Sequence, residues 1–146
     1  MTSRIRGGDE LRKKLQNIPK KLLKPITNAL DIAALQAATE AKRLVAKGPK
    51  SGILYQKYVP RRVHRASAPG QPPATDTGRL VASIRHRVQE GGLVAEAFSD
   101  VAYAPHLEFG TRTMRKRPFL KPAFVKTRKR NLKNIANAVA RVTKGL

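Results

Sequence analysis

Residues 84–99, IRHRVQEGGLVAEAFS, decide the fold class. Two runs, 84–89 and 93–99, flank Glu90-Gly91-Gly92, and a glycine-containing turn between two such runs predicts a β-hairpin. In the second run Val94, Glu96 and Phe98 alternate with Leu93, Ala95 and Ala97, so at least one face is expected to be buried. The sequence on either side of this hairpin reads as helix, which makes the chain α+β rather than all-helical.

On the N-terminal side, residues 9–47 read as a long helical segment. Asp9 is a plausible cap, and Leu11, Leu15, Ile18 and Leu22 step at helical spacing. Pro19 and Pro25 each remove a backbone donor, so a break or kink is expected there. Ile26, Leu30, Ala33, Ala37, Ala41 and Leu44 resume the pattern through an Ala-rich stretch of high helix propensity and little bulk. Gly48-Pro49 stops it. Residues 48–76 hold five prolines and three glycines, and are expected to form an extended loop or arm. Asp76 or Thr77 is placed to cap a short helix containing Leu80 and Ile84.

On the C-terminal side, 101–111 predicts a helical turn, with Tyr103 and Leu107 four apart and Gly110 as its C-cap. A basic loop, 112–117, leads to Pro118 and Pro122, and Pro122 suits the first turn of a final helix. In that helix Val125, Arg128, Leu132, Ile135, Val139 and Val142 form one stripe, and Lys126, Lys129, Arg130, Lys133 and Arg141 lie opposite. The expected architecture is one α+β domain over 1–146. It comprises a helical segment (9–47), a loop or arm (48–76), a short helix, hairpin and turn (77–111), and a basic loop with a C-terminal helix (112–146). So much helical surface on a small domain predicts oligomerisation.

The chain has 146 residues, with 31 Lys and Arg against 9 Asp and Glu, a formal net charge of +22. Residues 112–146 carry twelve of the cations and no acid. Such an excess implies a polyanion nearby, most often nucleic acid. The absence of cysteine excludes disulfides, thiolate metal sites and cysteine nucleophiles. No apolar run approaches the roughly 18–20 residues that span a bilayer. The N-terminus has no apolar signal core, so no secretion by that route is expected. The charge by itself leaves an anionic membrane surface or an acidic protein as other partners, but no membrane partner is expected. There is no phosphate-binding glycine loop. His64, His86 and His106 are scattered, and His106 with Glu108 is the closest His–carboxylate pair. Neither a catalytic centre, a metal site nor a cofactor is expected. Aromatics are not interleaved with the cations, so no stacking platform for single strands is indicated. By composition alone, the chain reads as a small basic nucleic-acid-binding protein, ribosomal or nucleoid-like.

Two stretches point elsewhere: SAPGQPPATDTGRLVASI (67–84) and VAYAPHLEFGTRTMRKRPFLKPAF (101–124). They resemble the signature blocks of a neck or tail-completion family of tailed bacteriophages and prophages, named for gene product ten of a lambda-like siphophage. The family pattern runs APG-x-PP…TG-x-L-x-x-SI, a variable hairpin, YA-x-x-x-E-x-GT, a short gap, and RPFL-x-PA before a C-terminal helix. Pro69, Gly70, Pro72, Pro73, Thr77, Gly78, Leu80, Ser83 and Ile84 match the first block. Tyr103, Ala104, Glu108, Gly110, Thr111, Arg117, Pro118, Phe119, Leu120, Pro122 and Ala123 match the second. The resemblance implies a structural virion protein, not an enzyme. It would form a homo-oligomeric ring, six- or twelvefold, at the head–tail joint, meeting other neck, portal-proximal and tail proteins, with genome DNA passing through. Assembly would take place in the host cytoplasm. Lys126, Lys129, Arg130, Lys133 and Arg141 would then face DNA, without sequence specificity. Arg61, Arg62 and Arg65 go beyond the family pattern and leave open whether their loop meets DNA or protein. Within the blocks, Gly78 permits a tight turn, Glu108 is expected to pair with Arg117 within or between subunits, and Tyr103, Phe109 and Phe119 are expected in a small core or an interface pocket. Phe119, between two prolines, is the one expected to reach another subunit.

Overall fold

A computed structural model describes residues 20–59 and 61–144. Along the chain run α1 (Lys20–Ala46), β1 (Leu54–Tyr58), β2 (Arg61–Arg65), α2 (Arg79–Ser83), β3 (Ile84–Val88), β4 (Ala95–Ser99), α3 (Ala104–Phe109) and α4 (Leu120–Lys144). The fold is mixed α+β, as the sequence predicts. Its strands form two separate antiparallel hairpins, β1–β2 and β3–β4, rather than one small sheet. The Asp9 cap, the spacing of Leu11, Leu15 and Ile18, and the break at Pro19 fall outside the described residues.

Of the break or kink expected at Pro25, a break does not occur: α1 runs through it. Proline there removes one hydrogen bond, to the carbonyl of residue 21. Just beyond it Ile26 and Ala29 are buried, and tertiary burial of a helix face outweighs a single missing bond.

The long helices α1 and α4 lie antiparallel, since partners fall along α1 as they rise along α4. Lys126 meets Glu40 at 2.9 Å, Arg130 donates to Gln36 at 3.0 Å, and Asn131 donates to the carbonyl of Ala33 at 3.2 Å. Small residues make the seam: Ala29, Ala34, Ala37, Ala38 and Ala41 on α1, with Ala123, Thr127, Asn131 and Ala138 on α4. Short side chains allow the axes to approach closely. This corrects the expected stripe on α4. Of its members only Val142 is buried; Ile135 and Val139 are half-buried, and Val125 and Leu132 are exposed.

The hairpin β3–β4 packs against α1 with Ile84 paired to Ser99 and Val88 to Ala95. Ile84 enters the core, where Ala38, Ala41, Val45, Leu80, Ala104, Phe119 and Ala123 meet. Ser83 and Ser99 satisfy each other, hydroxyl to hydroxyl at 2.7 Å. On the outer face Arg87 stacks over Phe98 at 4.8 Å and pairs with Glu96.

The stretch expected to be an extended loop contains β1–β2, with Lys57 opposite Arg62 and Tyr55 opposite His64. Its inner face is polar. Asp76 takes Lys57, Arg62 at 3.1 Å and His64 at 3.6 Å. Asp76 therefore does not cap the short helix; the N-cap position of α2 is Gly78. The apolar side chains of Leu54, Tyr58 and Val63 face outward.

Candidate functional site

The two motif blocks fold onto one another. Gly70 donates its N–H to the carbonyl of Lys116 at 2.9 Å, and Arg117 donates its N–H to Leu107 at 2.6 Å. At their centre is Glu108, a buried carboxylate at the end of α3. Its oxygens accept from the backbone N–H of Phe119 (2.8 Å), Leu120 (3.0 Å) and Lys121 (2.8 Å). The first four N–H groups of a helix have no partner within it. With Phe119 as the N-cap of α4, Glu108 satisfies three of them. The fourth position is Pro122, which has no N–H to satisfy. A carboxylate at this end also opposes the positive pole of the helix.

This corrects two expectations. Within the chain Glu108 does not pair with Arg117, because both its oxygens are committed to α4. Phe119 does not project toward another subunit either. It is 0% exposed, because the cap draws its backbone inward and drops the ring between α1 and α4.

The remaining block residues close the same loop. Gly110 ends α3 at φ 82, ψ 178, a region nearly restricted to glycine. A Cβ there would stand 2.9 Å from the Met114 carbonyl. Gly78 turns the chain into α2 at φ 77. The Thr111 hydroxyl accepts from the N–H of Met114 at 3.0 Å. Leu80 and Ile84 are core, Pro118 is half-buried, and Tyr103 and Thr111 are exposed. Phe109 is 81% exposed and is the most outward of the three aromatics, ahead of the less exposed Tyr103. His106 is exposed and is not joined to Glu108.

The helix α4 is three-sided. One face is the small-residue seam. A second carries Phe124, Leu132 and Ile135, which with Leu30, Ala37 and Ala97 line an apolar groove of about 640 Å³ between α1, β4 and α4. Phe124, one of the few aromatics the sequence offers for a core, is instead 59% exposed on this flank. The third side is basic. Lys126 and Arg130 turn to α1, onto Glu40 and Gln36, and Arg141 lies beside Lys24 and Pro25. Lys129 and Lys133 are exposed. The five expected DNA-facing residues therefore divide into an outward pair and three that border α1.

Two carboxylates titrate below their ordinary values. The Arg43 guanidinium, hydrogen-bonded to Glu40 and reinforced by Lys126, lowers its pKa to about 2 against the opposing effect of burial. Lys57, with help from Arg62 and His64, holds Asp76 below the usual carboxylate range. Among the described residues no cluster of three His, Asp or Glu gathers as for a metal ion. No described helix is long and apolar enough to cross a membrane. Comparisons with family models, curated proteins and solved structures find no match for this chain.

Proposed function

We propose that the chain is a structural subunit of a tailed phage or prophage, assembling as a homo-oligomeric ring at the head–tail joint through which genome DNA passes. The observation that carries this reading is the pair of motif blocks, 67–84 and 101–124, in the order and spacing of the neck and tail-completion pattern. Two surface features support it. An apolar groove and the exposed Phe109 offer surface for neighbouring subunits or for other neck and tail proteins. The outward Lys129 and Lys133 offer a basic edge to DNA, which neutralises phosphates without reading bases. No catalytic role is assigned. The site of action is the virion, reached by assembly in the host cytoplasm. Cryo-electron microscopy of assembled particles tests the proposal: density for this chain is expected at the joint, and its absence there rejects the reading.

A second reading, a stand-alone nucleic-acid-binding protein, is favoured by the charge alone. It requires the isolated monomer to bind duplex DNA with a steep salt dependence. A ring subunit is expected to bind well only when assembled.

A further inference from the structure

We infer that neighbouring subunits meet head to tail through a carboxylate in a cationic socket, with Glu90 of the partner subunit seated against Arg117 and Ser67. The inference rests on the ring reading and names one of its contacts.

The socket is a pocket of about 260 Å³ near the C-terminal end of α1, with Val45, Ser67, Leu80, Tyr103, Leu107 and Arg117 among its walls. Two polar groups there lack partners. Ser67 is 1% exposed, and its hydroxyl makes no hydrogen bond. The Nε of Arg117 is likewise buried and unpartnered. Among the described residues no carboxylate pairs with this guanidinium. A buried donor without an acceptor is destabilising, so the geometry calls for an acceptor from outside the described residues. The chain's own nearby acids are engaged. Glu108 caps α4, and Asp76, which also lines the pocket, is held by Lys57, Arg62 and His64. Arg79 and Arg117 line the same pocket, so cations there outnumber the carboxylates that could answer them. The missing group is an anion.

The occupant follows from the placement of the acids. Seven acidic residues fall within the described residues. Asp31, Glu40, Asp76, Glu96 and Asp100 form ion pairs or approach a histidine, and Glu108 is the cap. Glu90 remains, exposed at the tip of β3–β4 with no ion pair among the described residues. Gly91 and Gly92 follow it, so the tip is slim. That tip lies beside Thr27, whose hydroxyl would stand 2.6 Å from a Cβ on Gly92. Thr27 and Val45 are separated on α1 by roughly 27 Å at 1.5 Å per residue. Tip and socket therefore sit toward opposite ends of one helix. A contact between unlike surfaces repeats from subunit to subunit and closes into a ring when its rotation allows. A side-chain carboxylate ends in the acceptor oxygens that the Ser67 and Arg117 donors lack.

Sedimentation velocity on the purified full-length protein tests the contact, with melting temperature as the folding control. Glu90→Gln, on an exposed turn, is expected to weaken self-association at least about tenfold, as is Arg117→Gln. The double variant is expected to be no weaker than either single one. An equimolar mixture of the two single variants is expected to stop at dimers, because one supplies only a socket and the other only a tip. If the wild-type chain assembles and Glu90→Gln assembles equally well, the contact is wrong and the ring reading stands. Additive losses in the double variant also overturn it. So does a case in which Glu90→Gln is silent while Arg117→Gln weakens DNA binding, which would assign the socket to phosphate. A wild-type chain that stays monomeric at every concentration removes both the contact and the ring.

Discussion

Glu108 shows how a scarce residue is used inside the fold. In a chain with nine acids, this one is buried, accepts three backbone N–H bonds and orients a 25-residue helix. Glu108→Ala leaves three buried or half-buried donors without an acceptor and is expected to lower stability by about 2–3 kcal/mol. Glu108→Gln retains one carbonyl oxygen and is expected to lose about half as much. Phe119→Ala opens a cavity in the core and is expected to cost about 3–5 kcal/mol. Urea unfolding of the isolated subunit measures all three. These residues act on assembly through folding. A Glu108→Ala subunit of unchanged stability that fails to assemble would instead return Glu108 to an interface.

The elements differ in how plainly the sequence announces them. The β3–β4 hairpin is legible because apolar alternation and a Gly-Gly turn coincide. The β1–β2 hairpin is hidden because its inner face is Lys57, Arg62 and His64, bound to a carboxylate from a distant loop, while Leu54, Tyr58 and Val63 face out. A pattern rule that places apolar side chains inside reads that segment backwards. For α4 the helix is legible but its inner face is not. The bulky stripe suggests one face, while the seam is set by Ala, Thr and Asn meeting the alanines of α1, a match visible only once the two helices are paired. Likewise the Glu108 cap joins residues eleven to thirteen apart through a loop, a distance that no local spacing rule spans. The ion pairs that tie these elements together make an acid-labile seam. Glu40 and Asp76 both titrate lower in the folded chain than their ordinary values. Their contributions are therefore complete above the unfolded carboxylate pKa, near 4.5 for Glu40, and are lost as pH falls through the folded values, about 2 for Glu40. The urea midpoint is expected to drop over that window, and Glu40→Gln is expected to flatten part of the drop. Protection against hydrogen exchange in 54–65, taken relative to the intrinsic exchange rate at each pH, is expected to fall as acid protonates Asp76 and releases the hairpin. Protection there that does not change with pH would mean that Asp76 does not hold it.

At the scale of the whole molecule, +22 on 146 residues is a self-repelling charge that anionic surroundings relieve. The structure divides that charge by use. Arg43, Lys57, Arg62 and Lys126 neutralise the chain's own acids, and Arg130 braces α1. Lys129 and Lys133 have no such partner among the described residues, and they lie on the side of α4 away from the apolar groove. This separates folding from DNA binding in a way that the full basic stripe does not. Lys126→Glu places a carboxylate against Glu40 and is expected to destabilise the α1–α4 seam. Lys129→Glu with Lys133→Glu, two surface changes, is expected to leave stability within about 0.5 kcal/mol per site. In assembled protein the same double change is expected to weaken duplex DNA binding and to reduce the slope of log K against log salt by about 2, one unit for each phosphate no longer neutralised. In particles it is expected to impair DNA retention at the joint. If both the salt slope and DNA retention match the wild type, the basic edge of α4 faces protein, and DNA must run past other cations, with the outward Arg61 and Arg65 of the β1–β2 hairpin next to be tested.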